Sequence, residues 1–339
     1  MKTHVIMCCH NGEKFVEEQL LSIMAQSMPI DHIHIFDFAS TDATCDTIRQ
    51  FVAAKRTSVI SLVEQLDAPG ASLSFFRAFD LVISKVEDRD CVFLCDQDDV
   101  WLPKKSKTVV AAIERLFDTS TSDHVAVFHD VEVVDERLTR LRRTYYTGDP
   151  FRIPRDLAPD RLLLANPVIG HTLAISGALL KTVSHNVRGA RYLMHDWATV
   201  LVVSRVGRIA FVPEVLSLYR QHSANVLGAY GRRTGFEIFG RTIAFALRVV
   251  DQSLAFSADL RRLRGGANHR GELPLSRIDR ALAVVAPNVS WLAFPLLATY
   301  AVVRGPTLKR RLLGPAMLLA ALWRALGIPS PNMQKRNRQ

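Results

Sequence analysis

Residues 91 to 103 read C-V-F-L-C-D-Q-D-D-V-W-L-P, five residues of buried-strand character running straight into Asp96, Asp98 and Asp99, then Trp101 and Pro103. Val92, Phe93 and Leu94 lie between two cysteines without polar alternation, the pattern of a strand covered on both faces of a parallel sheet. In open α/β sheets the carboxyl ends of the strands face the ligand, so this strand would deliver its acids to a binding edge. Three carboxylates within four residues repel one another, and a site that keeps them ionised holds a divalent cation or several hydrogen-bond donors. The same residues also read as an acidic turn before a helix, with Asp99 near an N-cap and Pro103 in the first turn.

The chain before this stretch supplies the rest of such a sheet. His4 to Cys8 reads as a strand, His10-Asn11-Gly12 as a turn, and Glu13 to Gln26 as a helix with Phe15, Val16, Leu20, Ile23 and Met24 at helical spacing. His32 to Phe36 is a second strand, running into Asp37, and Ser40-Thr41-Asp42 opens another helix. Val59 to Leu62 is a third strand, and Gly70 starts the turn into a helix carrying Leu73, Phe76, Phe79 and Ile83. Strand and helix alternate through short connections, so the first half is a layered α/β sheet, parallel in its connections. No G-x-x-x-x-G-K-[ST] loop and no G-x-G-x-x-G turn occurs, which argues against a P-loop NTPase or a dinucleotide dehydrogenase.

With 48% hydrophobic and 22% charged residues over 339 positions, the composition is globular. The formal charge of +10 gathers at Arg137 to Arg143 and after Arg232. Such a basic part suits an anionic partner, and a membrane surface fits better than nucleic acid, because no stretch interleaves basic residues with stacking aromatics. Five cysteines and no basic-then-apolar leader suggest a cytoplasmic chain with reduced thiols. Cys91 and Cys95 stand about 13 Å apart along an extended strand, too far to bridge.

Together, C-C-H-N-G-E-K-F (8 to 15), F-D-F-A-S-T-D-A-T (36 to 44), Gly70 with Phe75, C-D-Q-D-D-V-W-L-P-K-K (95 to 105), M-H-D-W (194 to 197) and Y-R-Q-H-S-A-N-V-L-G-A (219 to 229) resemble the family 2 glycosyltransferases. Among these, bacterial rhamnosyltransferase-like members that build surface polysaccharide are the most similar. The resemblance implies a GT-A fold, a Rossmann-like, mixed and mostly parallel sheet with helices on both faces. It also implies a nucleoside diphosphate sugar donor, Mg²⁺ or Mn²⁺, and inversion at the anomeric carbon. The metal falls to Asp98, with Asp99 as an alternative ligand and His222 completing the shell. The nucleotide sugar falls to Asn11, Asp37, Asp96 and Arg220, and the general base to Asp196. Asp196 otherwise reads as a helix cap. Phe38 follows Asp37 where a second acid can stand, Ala39 replaces a glycine and Ser74 an asparagine. These departures leave the base of the donor open and admit a catalytically impaired sugar-nucleotide binding protein as a reading from another class.

The expected activity is transfer of a sugar, rhamnose from its dTDP donor or a hexose from a UDP donor, to a lipid-linked or growing glycan. Without a Q-x-x-R-W motif, one sugar per encounter is expected. Val125 to His129 and Val131 to Asp135 read as two strands broken at His129-Asp130, and Thr172 to Ser176 as another; Arg137 to Arg143 reads as a solvated loop. The catalytic domain is placed at residues 1–231. Residues 232–339 form a basic, apolar helical region, with Phe236 to Leu260 amphipathic among arginines. Residues 281–303 carry no charge but are interrupted by Pro287 and Pro295. Flanking arginines place this part as peripheral or re-entrant at the cytoplasmic face of the membrane, with a full span as an alternative.

Overall fold

The computed structural model describes residues 1–146, 153, 157–222, 235–265, 278–282, 293–304, 314–318 and 321. Its elements, in chain order, begin with β1 Thr3–Cys9, α1 Val16–Met24, β2 His32–Phe38, α2 Thr44–Lys55, β3 Ile60–Gln65, α3 Ala71–Val82 and β4 Cys91–Asp96. There follow β5 Val100–Trp101, α4 Lys105–Thr119, β6 Val125–Val134, β7 Arg140–Arg142, α5 Pro159–Leu162, β8 Ala174–Ser176, α6 Gly177–Asn186, α7 His195–Val206 and β9 Arg208–Arg220. Helices α8 Gly235–Gly265 and α9 Ala293–Arg304 follow, with short helical segments at 278–282 and 314–318.

One sheet runs in the order β3-β2-β1-β4-β8-β6-β9-β5, with β7 on β6. Strands β3, β2, β1 and β4 are parallel, as their helical connections require. Beyond β4 the sheet is mixed rather than mostly parallel. Strand β8 lies antiparallel between β4 and β6, β6 and β9 are parallel, and β5 is antiparallel to β9. The reversal follows from how β8 is entered, through a tight turn at Gly170–Thr172 packed on the end of β4.

Alternation along the strands sends side chains to both faces. Val5, Met7, Cys9, Ile33, Ile35, Cys91, Phe93 and Cys95 form one core with α1, α2 and α4. Ile6, Phe36, Val92 and Leu94 are equally buried on the other side, where α3 packs on β1 and β2 and meets α6 and α7. All five cysteines are free thiols, and burial pushes those of Cys91 and Cys95 far up. The break expected at His129-Asp130 is a register shift inside one long strand, β6. Part of the expected loop Arg137 to Arg143 is strand β7, where Arg140 pairs with Glu132 at 2.9 Å.

Two compact units divide the chain: Met1–Asp149, Val168–Ala190 and Met194–Ala229 in one, Pro150–Pro167, Arg191–Leu193 and Tyr230–Gln339 in the other. The first holds the sheet. In the second, α8 buries Ala246, Val250, Phe256 and Leu260 together with Gln252 and Asp259. Gln252 Oε1 accepts the Leu193 amide (2.9 Å) and Asp259 accepts the Tyr192 hydroxyl (2.7 Å). Among the described residues no helix is long and apolar enough to cross a membrane. Residues 283–292 of the uncharged run, the basic tail, and 223–229 of the last motif lie outside the described residues.

Candidate active site

The carboxyl edges of β1, β2 and β4 coincide because these strands pair in parallel, Cys9 opposite Asp37 and Cys8 opposite Asp96. Strand β8 runs the other way, so its entry turn lies at the same edge. Strands β6 and β9 again end there, Val134 opposite Arg220.

At the end of β4 the three acids separate by direction. Asp99 turns inward and is 1% exposed; one oxygen accepts the Arg220 amide at 3.0 Å and the other lies 2.8 Å from Nδ1 of His171. Asp98 faces the end of β9, its Oδ2 2.7 Å from Nε2 of His222. Asp96 stays half-exposed, 3.9 Å from the same His171 nitrogen. Loss of water on its covered side, then the like charges of Asp99, Asp98 and Asp196, push the Asp96 carboxyl above its usual range. Asp99 is not a helix cap: β5 intervenes, and α4 begins only at Lys105. Buried Lys105 donates to the His171 carbonyl at 2.8 Å and sits 4.0 Å above the Trp101 ring. Burial lowers its pKa to about 8.

The amino-terminal loops carry the remaining expected ligands. Asn11 adopts φ 51°, its own amide donates to the Ser40 hydroxyl at 2.8 Å, and its side-chain oxygen accepts the Thr41 amide at 2.8 Å. Asp37 is buried and accepts from the Ser40 amide at 3.0 Å and from its hydroxyl, an arrangement that closes the turn after β2. Ala39 in that turn has φ 54°, the conformation that glycine adopts at least cost. Phe38 is core, at 1% exposure. Gln97 joins the acid turn to this loop by exchanging two hydrogen bonds with the His10 backbone, at 2.9 and 3.0 Å.

Arg220 is 3% exposed and serves the protein itself: Nε donates to the Asp98 carbonyl (2.8 Å), Nη1 to the Glu136 carbonyl (2.5 Å) and Nη2 to the Glu18 carboxylate. It fastens the acid turn to α1 and to the β6–β7 connection. Asp196 lies in the first turn of α7, where the N-cap is Met194, and it is 6% exposed with one oxygen on the Trp197 amide. Its charge reaches Asp96. Beside it His195 stacks on Phe75, ring centroids 3.8 Å apart, and burial lowers its pKa to about 3.

Two groups of donors offer themselves to a hard divalent cation. Asp98 and His222 present an oxygen and a nitrogen at 2.7 Å, both partly open to solvent. Asp96, Asp99 and His171 bring three ligand atoms within 4.8 Å of one another, two of them deeply buried. The carboxylate oxygens of both sets suit Mg²⁺ or Mn²⁺, for which imidazole is the less usual partner; the first set opens to solvent through both of its members, the second through Asp96. Sequence reasoning missed His171. Its signal was a Gly-His pair at the entry of a strand.

Residues 4–167 match the family described as Glycosyl transferase family 2. An uncharacterized glycosyltransferase of Nostoc sp. is 26% identical over 230 residues, 66% of this chain and 66% of the relative. The dTDP-rhamnosyl transferase RfbG of Shigella flexneri is 26% identical over 233 residues, 66% of this chain and 74% of the relative. The matches thus span about two thirds of the length of the curated relatives. Among solved structures, S. aureus TarS 1–349 in complex with UDP-GlcNAc superposes with a TM-score of 0.51 at 13% identity, covering 96% of this chain and 92% of that one. GalNAc-T7 with UDP, GalNAc and Mn²⁺ gives 0.50 at 12% identity, covering 90% and 58%. At these identities the likeness is one of fold.

Proposed function

We propose that this chain, whose residues 4–167 match Glycosyl transferase family 2, is a glycosyltransferase that moves a sugar from a nucleoside diphosphate to an acceptor hydroxyl in one inverting displacement. The observation that carries this reading is the pairing of Asp98 with His222 at 2.7 Å, on the strand edge where Asp96 ends β4 opposite Cys8. In this proposal Asp98 and His222 hold Mg²⁺ or Mn²⁺, which when bound supplies Lewis-acid stabilisation of the departing diphosphate. Asp99 has both oxygens turned to the protein and serves as a support for its neighbours. Asp96 binds the donor, and Asn11 and Asp37 shape the loop that receives the nucleoside. Arg220 orients Asp98 through its carbonyl. Asp196, at the start of α7, takes the proton of the attacking hydroxyl.

The name of the Shigella relative favours dTDP-rhamnose as donor. Isothermal titration of the protein with dTDP-rhamnose, UDP-glucose, UDP-GlcNAc and GDP-mannose, with and without Mn²⁺, tests it. The expected result is binding that requires Mn²⁺ and prefers dTDP-rhamnose by roughly tenfold, a difference of about 1.4 kcal/mol. Equal, metal-independent binding of all four would overturn the reading. The acceptor in this proposal is a lipid-linked or growing glycan at the cytoplasmic membrane surface, supported by exposed Arg248 and Arg261 on α8. Salt-sensitive sedimentation with anionic vesicles checks that part.

A further inference from the structure

The turn Gly170–Thr172 touches both halves of the site, and nothing in the assigned chemistry uses it. On one side Gly170 presses against the base. A Cβ at this position would stand 3.3 Å from Oδ2 of Asp196 and 3.2 Å from Nε2 of His195. On the other side the His171 ring, fully buried, places Nδ1 at 2.8 Å from Asp99 and 3.9 Å from Asp96. Resting on the transferase reading, we propose that Gly170 and His171 form a spacer that sets the distance between the base Asp196 and the donor-side acids Asp96 and Asp99, with His171 as a positioning residue.

The turn is stiff enough for that role. Thr172 donates its amide (3.0 Å) and its hydroxyl (2.7 Å) to the Ile169 carbonyl, and the Leu173 amide donates to Gly170 at 3.0 Å. The Leu94 amide donates to Leu173 at 3.0 Å, so the turn is fixed to the strand that carries the acids. Lys105 holds the His171 carbonyl from below. Stacking of His195 on Phe75 braces the opposite wall. An inverting displacement needs base, acceptor and leaving group on one line, and an error of about 1 Å in such a geometry costs on the order of 100-fold in rate.

A cation shared by Asp96, Asp99 and His171 is the competing use of the same atoms. Positive charge is already supplied there by the buried Lys105 ammonium, which interacts with both carboxylates. One Asp99 oxygen is also committed to the Arg220 amide. The Lys105 charge favours a fixed spacer, while Asp99 Oδ2 and both His171 ring nitrogens lack a hydrogen-bond partner, so the binding arm of the test separates a spacer from a metal seat.

Three variants decide the matter: Gly170→Ala, His171→Leu, and His171→Asn, whose amide nitrogen replaces Nδ1. For each, kcat and donor KM are measured beside calorimetric binding of Mn²⁺ with the nucleotide, and circular dichroism reports the fold. Gly170→Ala and His171→Leu are expected to lose roughly 10- to 100-fold in kcat, with KM and nucleotide affinity held within about threefold. His171→Asn should recover most of the loss. Folded His171→Leu with wild-type kcat would reduce His171 to packing and overturn the proposal. So would loss of Mn²⁺-dependent nucleotide binding in both His171 variants, which would make the imidazole a metal ligand. The binding arm needs no turnover. A wild type that transfers nothing therefore counts against the transferase reading, and affinity in His171→Leu still decides the role of His171.

Discussion

Nε2 of His222 lies 2.7 Å from Oδ2 of Asp98, although 124 residues separate them in the chain. The pair is made by strand register. Parallel pairing of β6 with β9 brings Arg220 to the edge where β4 ends, and His222 follows two residues later. Phe15 packs at 4.9 Å from the imidazole, and the Arg220 guanidinium binds the Asp98 backbone from behind.

Asp98→Asn keeps the size and removes the charge. Mn²⁺-dependent donor binding should weaken by about 100-fold, and His222→Ala should weaken it by at least about tenfold, with both variants folded. Calorimetry with and without Mn²⁺ reads the effect. Unchanged metal dependence in Asp98→Asn would remove it from the metal site.

Asp196→Asn should bind nucleotide sugar and metal as the wild type does and transfer about 10²- to 10⁴-fold more slowly, since the base acts only as the acceptor attacks. A purely structural carboxylate in a helical first turn would tolerate asparagine with little loss. Near wild-type transfer by the variant would therefore return Asp196 to a structural role and reopen the binding-protein reading.

Arg220→Lys is expected to destabilise the fold, by roughly 2–4 kcal/mol, because one ammonium cannot replace three hydrogen bonds that diverge from a planar group. Metal affinity should fall with it as the Asp98 turn loosens. Chemical denaturation alongside Mn²⁺ titration measures both. Full stability in Arg220→Lys would mean that the buried fork does not hold the turn.

Acid should weaken the fold through histidines at the far edge of the sheet. His4 and His34 are buried with 3.1 Å between Nδ1 and Nε2, and His32, Asp31, Asp90 and Lys85 surround them. Burial lowers the His34 pKa to about 4 from 6.5, and it lowers His4 in the same direction against the pull of Asp90. From about pH 6.5 down to about 4 the unfolded chain takes up protons that the folded chain refuses. Stability contributed by neutral His34 is therefore present at neutral pH, is lost as pH falls through this window, and levels off below it. The full change is roughly 3 kcal/mol for His34. Urea denaturation at pH 7.5 and 5 should show the loss, and His34→Leu should show a smaller difference between the two pH values. An equal difference in the variant would exclude His34 as its source.

Strands β1 and β4 were legible because burial on both faces leaves a mainly apolar run, β2 and β3 through the apolar residues Ile33, Ile35, Ile60 and Leu62 among polar ones, and the turn residues Asn11, Asp37 and Gly70 mark the connections. Strand β9 was not legible. R-I-A-F-V-P-E-V-L-S-L-Y-R carries Pro213 and Glu214 at its centre, so no regular period survives. Arg140 to Arg142 was read as a loop because its charge is high, yet an edge strand tolerates charge on its exposed side. The three acids after β4 could be recognised as a site but not divided among roles, because their spacing is the same to within a residue. What divides them is the long-range arrival of Arg220, His222 and His171: the Y-R-Q-H motif pointed to the first two, whereas His171 offered only a Gly-His pair. A lone histidine after glycine, such as His171, resembles any other buried histidine until its neighbours are known.

Between β6 and β9 the register slips near Pro213: His129 lies opposite Val212, Asp130 opposite Val215, and Val131 opposite Ser217. Proline cannot join the ladder, and the surplus residues form slack in β9. After Ser217 the count is strict up to Arg220 opposite Val134. The bulge therefore separates two zones of tolerance to length change. One residue gained or lost near Pro213 can be taken up by the slack, whereas one gained after Ser217 would invert the alternation of the strand and carry His222 off its partner. Natural variation in chain length should collect on the first side of that point and stop at the second.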